Sequence, residues 1–75
     1  MAEIVQIRMA RAALNWSGRD LAKFSRVSAV TIARFETGAN ITIKTLKKME
    51  QALEKAGVIF IPRDANGGPG VRLKR

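Results

Sequence analysis

The sequence predicts a mainly α-helical domain of four short helices followed by a two-stranded β-hairpin, and three observations carry that prediction. Apolar residues recur at three- and four-residue steps to about residue 56, the period of amphipathic helices. Residues with N-cap chemistry and glycine stops interrupt the pattern at short intervals. Beyond Gly57 it gives way to a continuous β-prone run, a turn-rich loop and an alternating segment. With 75 residues and no cysteine, the chain has material for one small domain and no disulfide to staple it.

Helix 1 is expected over residue 3 to about residue 14. Ile4, Ile7, Ala10 or Arg11, and Leu14 form its apolar stripe, which Val5 and Met9 broaden. Arg8 reads as a solvated charge. Arg11 lies at the edge of the stripe, where a partly buried guanidinium needs a carboxylate, and Glu36 is the obvious candidate. Asn15 and Trp16 end the helix. Trp16, directly before a capping serine, is placed to staple the next helix and reads as a core residue rather than a base-stacking one.

The stretch from Ser17 to Gly38 organises the chain. Ser17 is an N-cap with Asp20 three residues on, a capping box for a helix over about Ser17 to Phe24 with Leu21 and Ala22 inside. Ser25 and Arg26 break the pattern, Arg26 standing where a left-handed backbone is needed at a cost of about 1 kcal/mol relative to glycine. Val27 is apolar and Ser28 is a second N-cap. Ile32 and Phe35 share one face, and Gly38 stops a helix over about Ser28 to Thr37. Small Ala22 lets the two helices approach while Val27, Ile32 and Phe35 fill the angle against Leu21. The outline is that of a helix-turn-helix.

At ~100° per residue from Ile32, Val30, Ala33, Arg34 and Thr37 point away from the core, with Ala29 at the open N-terminal end. A helix that presents small side chains and one arginine can enter a DNA major groove and meet base edges. A loop carrying Asn40 and Thr42 follows. Helix 4 is expected from about Ile43 to Ala56, with Ile43, Leu46, Met49 or Glu50, Leu53 and Ala56 as its stripe and Gly57 as its C-cap. Lys47 and Lys48 read as a solubilising face. Lys44, at the helix start nearest the recognition helix, reads as a phosphate contact.

Val58 to Ile61 is the first strand, Pro62 ends it, residues 63 to 70 are turn-rich, and Val71 to Lys74 alternate as a half-buried strand does. A two-stranded hairpin alone is marginal, and a first strand apolar on both faces needs cover. Either its own helices or the same element of a second chain across a two-fold axis can supply it. The second is the preferred expectation, with Val58, Ile59, Phe60, Ile61, Val71 and Leu73 as the dimerisation residues. Residues 1–57 are then the DNA-binding domain and 58–75 the dimerisation element.

Fourteen Lys and Arg against six Asp and Glu give a net charge of +8, a field suited to a polyanion. Nucleic acid is the first candidate partner, an acidic protein or an anionic membrane the second. No histidine and no cysteine are present, so the usual nucleophile–base pairs and zinc sites are lacking; neither enzymatic activity nor a cofactor or metal is expected. Charges at Glu3, Arg8 and Arg11 interrupt the N-terminal segment, which reads as neither signal peptide nor membrane span. A soluble, cytoplasmic protein is expected.

Residues 7 to 57 resemble the phage-repressor/Cro, or XRE, type of helix-turn-helix domain. The resemblance rests on Ile7-Arg8-Met9-Ala10-Arg11, Leu21-Ala22, Val27-Ser28, Thr31-Ile32-Ala33-Arg34-Phe35-Glu36-Thr37-Gly38, Thr45-Leu46 and Ala52-Leu53. The tail, Gly57 to Leu73, is similar to small bacterial regulators of this type ending in a GV.FI…GGPGVRL segment. The resemblance implies a four-helix repressor-like fold that binds DNA as a dimer with helix 3 in the major groove. It also implies a structural Arg11–Glu36 pair, base-facing Ser28, Ala29, Val30, Ala33 and Arg34, and phosphate-facing Thr31 and Asn40 to Lys44, including Thr42.

Three positions depart from the family pattern. Gly18 replaces a glutamine that often anchors DNA, Arg26 replaces the turn glycine, and Ser25 replaces an apolar residue. Arg19 and Arg26, with Ser17 beside them, are then the substitute phosphate contacts. Ala29 and Val30 suit thymine methyl groups, and Arg34 is the main polar reader. The functional expectation is a sequence-specific transcriptional regulator, a repressor acting as a homodimer on an inverted-repeat operator, without a ligand domain. The alternatives are an antitoxin-like module whose C-terminal segment binds a partner protein, and a nonspecific basic nucleic-acid-binding protein.

Overall fold

Three of the four helices follow residues whose side chains cap them, and the whole chain, residues 1–75, is described by a computed structural model. Helix α1 spans Ile4–Leu14, with Glu3 at its N-cap and Gln6 Oε1 accepting from the Glu3 N–H at 2.8 Å. Helix α2 is Gly18–Ser25, α3 is Ala29–Glu36 and α4 is Ile43–Lys55. Ser17, Ser28 and Thr42 cap them, each accepting at 3.1 Å from the N–H three residues on. Asp20 completes the expected box by accepting from the Ser17 N–H at 2.9 Å. Gly38 and Gly57 stop α3 and α4 at φ 107° and 108°. Arg26 takes the left-handed conformation expected of it, φ 61°, and so does Asn15 at φ 56°, a residue whose short amide side chain tolerates that region.

Twelve buried apolar residues form one core: Ala2, Ile7 and Ala10 from the N-terminal segment, Leu21, Val27, Ile32 and Phe35 from the helix-turn-helix, Leu46, Met49, Ala52 and Leu53 from α4, and Val58. The stripe of α1 is narrower than its period implies. Val5 is exposed and Met9 half-buried, while polar Gln6 is only 2% exposed. On α4, Ile43 and Ala56 lie outside the stripe as well. Ile43 sits in the first turn, beyond the reach of the core, and Ile41 of the preceding loop packs there instead.

Strands β1 (Val58–Ile61) and β2 (Gly70–Leu73) pair antiparallel within the chain, Val58 opposite Leu73 and Phe60 opposite Val71. One face is covered by the chain's own α1 and α4: Val58 is in the core, and Phe60 and Val71 pack against it. Val58, expected among the dimer contacts, is 1% exposed and has no surface to offer a second chain. Ile59 and Ile61 alternate to the opposite face and remain open.

Gln6 explains why the hairpin docks where it does. Its Nε2 donates to Ile61 O at 2.8 Å and to Gly70 O at 3.0 Å, holding both strands where they enter the connecting loop. Two further ties flank it. The Ala2 N–H donates to a Glu50 carboxylate oxygen, and Arg63 makes a two-pronged pair with Glu3 at 2.8 Å for each bond. Those bonds hold the Glu3 carboxyl below the usual carboxylate range. In the loop, Asp64 and Gly67 face each other across a tight turn, with the Asn66 N–H on Asp64 Oδ1 at 2.8 Å. No helix is long and apolar enough to cross a membrane.

Candidate nucleic-acid interface

Helix α3 has two faces of opposite character. Ile32 and Phe35 are 1% and 8% exposed and fix the helix on the core. Ala29, Val30, Ala33, Arg34 and Thr37 are all exposed, and Val30 is left 61% bare with no apolar neighbour element to cover it. The chain forms two ion pairs, Arg11–Glu36 and Arg63–Glu3, so the Arg34 guanidinium is free for an external acceptor. At the start of the helix the Ser28 and Thr31 hydroxyls bond each other at 2.8 Å, which leaves one hydroxyl proton of the pair to donate outward.

The phosphate candidates lie around the N-terminal ends of α2 and α4 and in the turn. Arg19, Arg26, Asn40 and Lys44 are exposed, and none of the three cations among them has an acidic partner. Ser17 and Thr42 are exposed too, but their oxygens already cap helices; Thr42 Oγ1 also bonds Thr45 Oγ1 at 2.8 Å. Unpaired N–H groups at a helix start favour an anion. At α2 the Asp20 carboxylate already occupies part of that position, so Arg19 and Arg26 are better placed there than Ser17 to meet a phosphate.

The pair expected from the edge of α1 forms. Arg11 Nε and Nη2 donate to the two Glu36 oxygens at 2.8 and 2.6 Å, and Nη1 donates to Trp16 O at 3.1 Å. The side chains are 23% and 13% exposed. Glu36 is the last residue of α3, where the negative end of the helix dipole disfavours a carboxylate; Arg11 neutralises it. The Glu36 hydrogen bonds stabilise the charged guanidinium and raise the Arg11 pKa above its usual value against the effect of burial. The pair therefore locks the angle of α3 relative to α1, and with it the direction of the exposed face.

The turn itself holds by a device not expected from the sequence. Ser25, buried in place of an apolar residue, donates from Oγ to Leu21 O at 2.5 Å and accepts from the Val27 N–H at 3.2 Å. Its position beside a left-handed Arg26 was the available signal, since serine readily bonds local backbone. Trp16 packs against the core as expected and stacks on Phe24 at 4.7 Å. Of the hairpin residues, Ile59, Ile61 and Leu73 are the accessible ones at 41%, 39% and 38%. No cluster of three or more His, Cys, Asp or Glu side chains that could hold a metal occurs.

A family model described as Helix-turn-helix matches residues 7–58. No curated protein and no solved structure gives a match. The matched span runs from Ile7 in α1 to Val58 at the start of β1 and contains the α2–turn–α3 unit, the Arg11–Glu36 lock and α4. The chain therefore belongs to the XRE-type, phage-repressor/Cro-like helix-turn-helix family of DNA-binding transcription regulators.

Proposed function

We propose that this protein is a sequence-specific repressor that binds an inverted-repeat operator as a homodimer, placing α3 in the major groove. The observation that carries the reading is the exposed face of α3, small at Ala29, Val30 and Ala33 and ending in an unpaired Arg34. Small residues let the helix backbone approach the groove floor, and the alanine and valine methyls fit thymine methyl groups. Arg34 donates to a guanine edge. Arg19, Arg26 and Lys44 hold the duplex backbone and set the register. Repression follows from occupying a promoter.

Dimerisation is assigned to the open face of the hairpin, where Ile59 and Ile61 occupy the two exposed alternate positions of β1. Ile59→Lys combined with Ile61→Lys is expected to keep the helical fold by circular dichroism, since both residues lie outside the core, and to make the melting temperature independent of protein concentration. The same double variant is expected to sediment as a monomer and to lose cooperative operator binding. Sedimentation equilibrium of the two proteins decides it; equal masses in solution count against the assignment.

The test of the whole reading is binding to DNA from around the protein's own gene against scrambled DNA of equal length, at physiological ionic strength. A preference of about a thousandfold, with two symmetric half-sites about 34 Å apart, supports it. Equal affinities would instead indicate a nonspecific basic protein. Arg34→Ala is expected to weaken operator binding by about 1 to 3 kcal/mol and relax preference at one base position, read from a panel of single-base operator variants. Lys44→Ala is expected to weaken all sequences alike and to lower the slope of log affinity against log salt by about one, measured by titration at four or five salt concentrations.

A further inference from the structure

The DNA-facing candidates lie at the N-terminal ends of α2 and α4, along α3 and, at Arg26, in the turn after α2. The opposite ends of α1, α2 and α4 carry a different surface. Two adjoining grooves share Lys55 and Ala56: one of about 260 Å³ runs past Trp16, Phe24 and Ala52, the other of about 370 Å³ past Leu14, Gly57 and Leu73. The floor is apolar and poorly covered. Phe24 is 55% exposed and Leu73 38%, Leu14 and Trp16 are half-buried, and Ala56 is exposed.

The rim has a single sign. Lys55, Lys74 and Arg75 line the grooves, Lys23 stands 5.6 Å from the centre of the Phe24 ring, and no carboxylate side chain lines either groove. A second copy presenting this same face is a poor occupant, because it would set the cations of one rim against those of the other. DNA satisfies the rim and leaves the aromatic and aliphatic floor without a counterpart. A segment that is both acidic and apolar satisfies both.

We infer that the Phe24–Trp16–Ala56–Leu73 groove is a docking site for an acidic, amphipathic segment of another protein, whose apolar side chains fill the floor and whose carboxylates meet Lys23, Lys55 and Lys74. Aromatic anchors at the centre of such a surface carry most of the binding energy, with the charged rim setting specificity and association rate. None of the base-facing residues of α3 lines the groove, although Trp16 and Phe24 adjoin the phosphate candidates Ser17 and Arg26 in sequence. The site does not depend on the operator, on repression or on dimerisation.

Trp16, the one tryptophan of the chain, lies in the groove and reports on it directly. The probe is a synthetic peptide alternating Leu and Glu at helical spacing, compared with the same pattern in Leu and Lys and with a Ser and Glu peptide of equal charge. The Leu–Glu peptide is expected to shift Trp16 emission saturably to shorter wavelength, while the other two leave it unchanged. Phe24→Ser, which alters no charge, and Lys55→Glu, which alters no floor residue, are each expected to weaken binding about tenfold, with circular dichroism confirming that both variants are folded. A response to the Ser–Glu peptide equal to that of the Leu–Glu peptide would mean nothing more than attraction to net charge, and would overturn the assignment. So would wild-type affinity in both variants. Loss of duplex binding in Phe24→Ser to the same degree as peptide binding would place nucleic acid on this surface instead.

Discussion

Glu36→Ala is expected to lower the melting temperature by about 12 °C or more, reflecting a loss of about 3 kcal/mol. Removing the carboxylate leaves Arg11 with one hydrogen bond, to Trp16 O, and with a charge that is only 23% exposed. That residual exposure puts the loss at the lower end of the range for stranded buried charges. For a domain of this size, with total stability on the order of 4 to 11 kcal/mol, the change is large. Arg11→Met combined with Glu36→Leu removes both charges and is expected to recover most of the loss, because the uncompensated ion and not the absent attraction is responsible. Thermal unfolding followed by circular dichroism checks both variants. If Glu36→Ala melts normally and only DNA binding suffers, Glu36 belongs to the interface and not to the frame.

Gln6→Leu is expected to destabilise the protein by about 2 to 3 kcal/mol, with the effect concentrated in the hairpin. The side chain makes three hydrogen bonds, one from the Glu3 N–H and two to Ile61 O and Gly70 O. Leucine keeps the volume and strands two carbonyls near the protein interior. Ile61 is exposed and Gly70 half-buried, so water recovers part of the loss. Gln6→Glu is expected to be worse than Gln6→Leu, since a carboxylate would face two carbonyl oxygens. Amide hydrogen exchange resolves where the change falls: the β1 and β2 amides should lose protection in Gln6→Leu before the amides of α2 and α3. Uniform loss throughout the chain would show that the hairpin and helices open as one unit.

Residues that act locally were legible in the sequence. Ser17 and Ser28 cap helices because an oxygen two bonds from the backbone reaches an N–H three residues on, whatever the rest of the fold does; Thr42, expected only as a phosphate contact, caps α4 by the same geometry. Gly38 and Gly57 were readable for the same reason, and so was the left-handed Arg26, fixed by its place in the turn. Arg11 needed one nonlocal inference, that a guanidinium at the edge of an apolar stripe finds a carboxylate. Asn15 could have been read with Arg26 from the end of the α1 stripe.

What stayed hidden was which face each stripe turns to which neighbour. A helical period gives the direction of a stripe, and its width depends on what packs there, so Val5 and Ile43 fell outside the core. Gln6 in the middle of the α1 stripe had no reason to be buried until the carbonyls of Ile61 and Gly70 were beside it. Glu3 and Gln6 at capping-box spacing were the available hint. The hairpin presented the same difficulty: four β-prone residues do not show which alternate pair faces the helices. Cover by the chain's own helices for Val58 and Phe60 leaves, on β1, only Ile59 and Ile61 for a partner. Among the DNA candidates, the exposure of Arg34 and Lys44 followed from helical phase and position, whereas Arg19 was reached only through the resemblance to the family.

The three ties between the first six residues and the segment from Glu50 onward also bear on the order of assembly. Contacts inside α2–turn–α3 span few residues and close cheaply in entropy, whereas Gln6 and Gly70 are 64 positions apart and their closure comes late. Because Val58 completes the core and Gln6 secures the strands that hold it, a chain emerging from the ribosome can form the recognition unit early but cannot seal its interior until Gly70 has been made. The hairpin thus closes the longest hydrogen-bonded loop of the chain as it covers apolar surface of α1 and α4.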